Sequence, residues 1–594
     1  MTANMTTITA SGFSPETPLH SALHHAGARE LLLHHLPELR DTATQMILGG
    51  RTLALVLATS PALDGDEEQV TRLLTELRDL PLQPQVERQV TPRRRPAPDY
   101  EGEDVTEGSA HAEWSQRVTR FGRFEVVIDG PSRGNPFVDV ELWADIETPS
   151  RVTRVRGFYD GAGVYRIRYL AQEIGVHSFR TVSSARSLHG IEGIFSVGDA
   201  AEGAHGPVRV ERAFGFAYAD GTRYVPVGTT AYAWTHQGKD LEESTLRTLA
   251  TSPFNKIRMC VFPKSYLYNR NEPERFPFEG DLEQGFDLER FDVPYWRHLE
   301  QRIEDLGRLG IEADLILFHP YDRWGFADMG ADADDAYLRY AVARLAAFSN
   351  VWWAMANEYD VLAAKTENDW ERLASIVQAE DPVGHLRSIH NCFDFYDQTR
   401  PWITHASVQR RDLYKTAEMT TEWRELWSKP IVIDECGYEG DIDQGWGNIT
   451  GEEMTRRFWE GAVRGGFVGH GETYLDPHEI LWWSKGGELR GTSPARIGFL
   501  RTILEDAPPE LAPLAIDWDI PSAGIENEYY LFYYGFNQPR FRRFVWEPST
   551  VYEVDVIDTW SMTVDTVPGT FRGRFTIELP GRPYMALRFR AATA

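Results

Sequence analysis

At 594 residues the chain exceeds what one hydrophobic core supports, so a few domains are expected. Its net charge of −28 excludes a general attraction to nucleic acid or anionic membrane, and no run approaches the roughly 18 apolar residues that cross a bilayer. Three cysteines (Cys260, Cys392, Cys436) are too few, and odd in number, for a disulfide framework; residues 1–14 have neither a basic start nor an apolar core, and the expected location is cytoplasmic.

Residues 1–85 read as a small helical or α/β segment. Ser14-Pro15-Glu16 is a helix start, Leu31, Leu32, Leu33, Leu36 and Leu39 supply an apolar face, residues 47–59 suit a buried strand and 67–80 an amphipathic helix. His20, His24, His25, His34 and His35 fall here, but no Cys or acidic partner stands at matching spacing and no metal is expected. Residues 86–109, rich in Pro, Arg and acids and including Arg93-Arg94-Arg95, read as a linker. From 110 to 200 the pattern alternates over short runs at 123–129, 138–147, 164–170 and 177–182, which suggests an immunoglobulin-like β-sandwich. Residues 511–594, with Tyr529-Tyr-Leu-Phe-Tyr-Tyr534, form a second β-rich region, expected to be a C-terminal β-sandwich.

Between them, residues 201–510 alternate strand-like and helix-like runs. The strands expected are 224–228, 256–262, 313–318, 351–356, 386–390, 402–406, 430–434 and 466–471. Asp292 with Pro294 opens a helix that stops at Gly310, and Ser493 with Pro494 opens another. Eight such units close into a (β/α)8 TIM barrel. An open doubly wound sheet is the alternative, weakened because no Gly-rich phosphate loop follows the first strand.

In a barrel the functional side chains gather at the C-terminal ends of strands. Those ends carry Arg258; His319 with Trp324; Asn357-Glu358; His390-Asn391; Glu435; and, beyond the eighth strand, Trp482-Trp483. Two glutamates at the ends of strongly apolar strands suit glycosidic cleavage, which needs one acid for the leaving oxygen and one carboxylate for the anomeric carbon. Trp324, Trp446, Trp482 and Trp483 are candidate walls for a sugar subsite, and His319 and His390 candidate partners of sugar hydroxyls or of Glu435.

Asn357-Glu358 after strand four and Glu435 after strand seven resemble the clan of retaining barrel glycosidases that contains cellulases and β-galactosidases. The resemblance implies that Glu358 is acid/base, Glu435 nucleophile, Asn357 a holder of the sugar 2-hydroxyl and Arg258 a support of the nucleophile; His405 lies near the clan's strand-six position. More closely, residues 110–594 resemble a bacterial family with an immunoglobulin-like leader, a cellulase-like barrel and a C-terminal β domain, whose relatives include apiosidase-like enzymes. The implied function is a retaining glycoside hydrolase, expected to act from the end on oligosaccharides or glycosides, with pentofuranosides among the candidates. No cofactor and no metal are implied; the partner is the saccharide, with neither nucleic acid nor membrane, and the extra N-terminal segment suits a homo-oligomer contact. A non-catalytic carbohydrate-binding scaffold and a transglycosylase using the same glutamates are the competing readings. A metal-dependent barrel is set aside because strand one offers a single late His236 where a His-x-His pair is wanted.

Overall fold

The computed structural model describes residues 13–23, 25–80, 96–97 and 100–592. Residues 1–12, His24 of the histidine cluster, and 86–95 and 98–99 of the expected linker lie outside the described residues. No described helix is long and apolar enough to cross a membrane.

The first unit is built from helices Leu19–Leu23, Ala26–His35, Thr42–Leu48, Leu53–Thr59 and Glu67–Asp79. The strand expected at 47–59 is therefore a helix end, a Gly49-Gly50 break and a second helix. Leu53, Val56 and Leu57 recur at helical spacing and are buried with Leu32, Leu36, Leu73 and Leu77, whereas a strand would divide them between two faces. Each such burial contributes roughly 1.5–3 kcal/mol. The Thr52 hydroxyl accepts from Leu55 N at 3.3 Å and fixes the helix start.

Between residues 112 and 198 eight strands form one largely antiparallel sheet that doubles over a single core. Val152–Tyr159 is the hinge strand, pairing with Leu142–Glu147 on one side and Val164–Leu170 on the other. The chain joins this core earlier than the expected boundary at 110: Tyr100 is buried in it, and its hydroxyl donates to Arg133 O at 2.5 Å. At the far end a six-stranded antiparallel sheet covers 512–591, and its Leu531, Tyr533 and Ile557 pack against Trp459 and Val463 of the central domain.

The central domain has eight parallel strands: β1 Gly228–Thr230, β2 Lys256–Cys260, β3 Glu312–Ile316, β4 Val351–Ala354, β5 Arg387–Ser388, β6 Ala406–Gln409, β7 Ile431–Glu435 and β8 Phe467–His470. Their spatial order is 5-4-3-2-1-8-7-6, which is sequential once β1 is bonded to both β2 and β8. Thr404 N donates to Arg387 O at 2.9 Å and bridges the remaining gap between β5 and β6. The sheet is a barrel, and the doubly wound alternative falls. Inside it Lys256 Nζ lies 2.5 Å from Asp314 Oδ2 and 2.9 Å from Asp434 Oδ1, a buried triad joining β2, β3 and β7. The helix Val293–Arg308 begins at the Asp292 cap, whose carboxylate accepts from Tyr295 N at 2.7 Å.

Two strands differ from expectation. Tyr224, placed in strand one, belongs instead to a short antiparallel sheet with Gly215–Tyr218, and its hydroxyl donates to Asn255 O at 2.9 Å. Pro226 lacks an N–H and separates that hairpin from β1. Strand six is Ala406–Gln409 and not 402–406, with a register irregularity between Ser407 and Gln409.

Candidate active site

Glu435 is the last residue of β7 and is nearly buried. Its Oε1 accepts from the Tyr232 hydroxyl, lies 3.2 Å from Arg258 Nη1, and is 3.3 Å from His390 Nε2. Burial alone would raise the pKa of this carboxyl, but His390, Arg258 and Tyr232 outweigh it and hold the value at about 2. Arg258 is charged at any ordinary pH, so Glu435 stays ionised even with His390 neutral. His390 is itself held in place from behind: its Nδ1 is 3.0 Å from Ser407 Oγ, which donates to Asp434 Oδ2 at 2.5 Å.

Glu358 follows β4 in left-handed backbone geometry (φ 52°, ψ 57°). Such a conformation costs a non-glycine residue on the order of 1–3 kcal/mol and persists only where the surroundings impose it. Here Asn357 N donates to Phe318 O and Tyr359 N to His390 O, both at 2.9 Å, and clamp the residue from each side. The carboxyl accepts from the Tyr321 hydroxyl and Asn357 Nδ2 (3.2 Å) on Oε2, and from Gln409 Nε2 (2.8 Å) on Oε1. Burial and the negative charge of Glu435 push its pKa up to about 8, against the smaller lowering effect of Tyr321. A chain of contacts joins the two glutamates, because Tyr232 Oη also lies 3.2 Å from Asn357 Oδ1.

Both glutamates open into one cavity of about 380 Å³ whose walls include Tyr232, Lys264, Trp446 and Trp483. Trp446 and Trp483 stand 5.0 Å apart between ring centroids and make an aromatic wall. Arg258, Asn357 and His390 sit one layer behind, bound to the carboxylates. Asn391 acts through a neighbour: its side-chain amide pairs with both backbone groups of Gln409, at 3.0 and 3.1 Å.

Other expected residues are not in the cavity wall. Trp482 is packed in the barrel core, its Nε1 donating to Thr229 Oγ1 at 2.8 Å. His319 is buried, bonds Phe262 O at 3.2 Å, and burial lowers its pKa to about 3. Trp324 donates to Glu272 at 2.9 Å outside the site. His405 lies at the entry of β6, packed on Trp352 and Phe216, so Gln409 and not His405 occupies the strand-six end.

Glu439, His470 and Glu472 also lie within 4.8 Å of one another. Their carboxylates are already taken, Glu439 by Ser493 and Thr492 and Glu472 by the Arg490 and Gly491 amides. That saturation explains the cluster as a hydrogen-bonded girder beneath the loops.

A family model described as the apiosidase-like catalytic domain matches residues 211–496. A crystal structure from Bacteroides vulgatus ATCC 8482, described as a candidate glycoside hydrolase, is 39% identical, with a TM-score of 0.77, and the match covers 80% of this chain and 100% of that one. The chain belongs to the apiosidase-like glycoside hydrolases. Domains of unknown function match on either side, one (DUF5060) over 117–184 and one (DUF5605) over 518–590. A family 5 glycoside hydrolase of the same organism shares the fold at 15% identity and a TM-score of 0.51, covering 65% of this chain and 94% of that one. Among curated proteins none matches.

Around the two glutamates of this glycosidase stand residues that its sequence did not reveal. Tyr232, two residues beyond β1, touches Glu435, Asn357 and Arg258 (3.0 Å), yet in the sequence it reads as one more core aromatic. Gln409 was hidden by the misplaced sixth strand. Lys264 gave no signal, since a lysine in a loop ordinarily reads as solvated. It is buried with its ammonium 3.5 Å above the Tyr232 ring and 4.2 Å above that of Tyr321, and burial lowers its pKa to about 8.

Proposed function

We propose that this glycosidase cleaves by double displacement with retention, Glu435 attacking the anomeric carbon and Glu358 serving as acid and then base. The observation that carries the reading is that two carboxyls share one cavity in opposed settings. Glu435 is ringed by Arg258 and hydroxyl and imidazole donors, while Glu358 is buried against a negative neighbour. All three contacts on Glu435 fall on Oε1, which leaves Oε2 toward the substrate. As the ester forms, Glu358 gives its proton to the departing oxygen. The charge on Glu435 is then gone, the acidity of Glu358 returns toward an ordinary carboxyl, and it can take a proton from water in the second step.

Asn357, bridging Tyr232 and Glu358, is suited to hold the 2-hydroxyl, and Trp446 and Trp483 to face the sugar ring. The cavity is at the small end of the about 300–1,000 Å³ usual for ligand pockets, which favours exo action on a short glycoside. The name of the matched family places pentofuranosides first in the panel to be tried. We read the N-terminal β-rich domain as immunoglobulin-like.

The test is proton NMR of the first product released from an aryl glycoside, together with Glu435→Gly in azide. A retained anomer in wild type and an inverted glycosyl azide from the variant are expected. An inverted first product, or ordinary turnover by Glu435→Gly, removes Glu435 from the nucleophile role.

A further inference from the structure

The three family matches begin at residue 117, and the Bacteroides relative, matched over its whole length, accounts for 80% of this chain. The helical unit at 13–80 nevertheless reaches the active site. Helix Thr42–Leu48 brings Ile47 into the wall of the catalytic cavity, and that side chain is 59% exposed although its unit has a leucine core available. The unit is anchored beside it. The His20 ring stacks on Phe393 at 4.6 Å, His20 Nε2 is 3.0 Å from Asp394 Oδ2, and its Nδ1 is 2.9 Å from Gly49 O. At Gly49 the approach is so close that a Cβ would meet the Phe393 ring at 2.9 Å. The receiving loop is held by Asp360, two residues past Glu358, whose carboxylate accepts from Cys392, Phe393 and Asp394 N at 2.6, 2.6 and 2.8 Å.

A groove of about 500 Å³ continues outward from the cavity here, sharing Ile47, Gln409, Arg410 and Arg411 with it and adding Arg51. It leaves on the side of Gln409, the donor to Glu358 Oε1. An acid must face the glycosidic oxygen, so the leaving group lies on this side. Ile47 offers the apolar contact that the C–H face of a sugar needs. Arg51 and Arg411 offer guanidinium N–H groups to hydroxyls, the latter already steadied 4.5 Å over the Phe393 ring.

We infer that residues 13–80 are a cap that builds the leaving-group subsite, with Ile47 and Arg51 as specificity-determining residues for a saccharide leaving group. The inference rests on Glu358 being the acid. Its test compares wild type, Ile47→Ala, Arg51→Gln and Glu358→Gln on two probes: the glycosyl fluoride of the sugar that wild type releases, whose leaving group is too small to fill a subsite, and a disaccharide bearing the same sugar at its non-reducing end. Ile47 and Arg51 are exposed, and an unchanged thermal midpoint verifies folding. Each cap variant is expected to lose about five- to twentyfold in kcat/KM on the disaccharide, chiefly through KM, and less than about twofold on the glycosyl fluoride, which makes no contact in the leaving-group subsite. Equal losses on both probes, or none on the disaccharide, overturn the cap. Normal disaccharide turnover by Glu358→Gln overturns the acid assignment instead, so the two failures are told apart.

Discussion

At the scale of single residues the site depends on two identical side chains being given opposite protonation states. Glu435 has Arg258 and Tyr232 against one oxygen, and Glu358 has burial and Glu435 against it. On the proposed mechanism the active form of the free enzyme has Glu358 protonated and Glu435 ionised. The profile of kcat/KM should therefore fall as pH rises through about 8, where Glu358 loses its proton. Tyr321 donates to the Glu358 carboxylate and so favours the ionised form. Tyr321→Phe removes that donor, the Glu358 pKa rises, and the alkaline fall moves to higher pH. A pH–rate series on an aryl glycoside checks this, and an unmoved or downward-shifted limb contradicts it. With a leaving group as good as dinitrophenolate, whose departure needs no acid, Glu358→Gln should lack the alkaline fall in the glycosylation step; a fall persisting there would assign it to another group, such as Lys264.

At the scale of elements, β6 shows how a short displacement changes a site. Its true end is Gln409, aimed at Glu358 and fixed by Asn391 of the neighbouring β5 loop. Asn391→Ala leaves both backbone groups of Gln409 without that partner and lets the Glu358 clamp drift. A loss of about 10–100-fold in kcat with KM little changed is expected. Steady-state kinetics decide it, and a loss confined to KM would make Asn391 a contributor to binding and not to positioning. The expected register failed here because Trp402 and Ile403 look as strand-like as Ala406 to Val408. Only the pairing with Ile431 and Val432 in β7 selects between them.

At the scale of the whole molecule, charge ties the β-rich domain to the barrel. Asp160 of the former accepts from Arg344 (2.8 Å) and Arg297 (2.7 Å) of the latter, and Arg168 reaches Glu300 at 2.7 Å. Burial would raise the pKa of Asp160, yet its hydrogen bonds and the arginine charges hold it at about 2. A depressed carboxylate stabilises the fold above its unfolded pKa of 3.8, and that contribution is lost as pH falls through about 2. Asp160→Asn takes the balancing charge from the buried Arg344 guanidinium, and a loss of about 3–5 kcal/mol is expected by denaturant unfolding at neutral pH. A variant within 1 kcal/mol or so of wild type would mean that apolar packing carries the domain contact without the ions.

The amino-acid sequence by itself determined the alternation of elements that makes a barrel, and the two glutamates with Asn357, Arg258 and His390 around them. Asn357 with Glu358, Glu435 and His390 were legible because each polar group stands at the end of a strand-like run, a local pattern that needs no partner to be seen, whereas Arg258, inside its strand, was singled out by the resemblance to the clan. Tyr232, Lys264, Gln409 and Ile47 were not, since nothing local distinguishes them from a core aromatic, a solvated lysine, a loop amide or a buried isoleucine. The burial of Trp482 and His319 was equally closed to inspection, because adjacent positions look alike until the backbone turns one toward the cavity and the other into the core. Tertiary structure decided these cases, for the chemistry of each comes from neighbours distant along the chain, Glu435 lying 203 residues from Tyr232 and Thr229 lying 253 from Trp482.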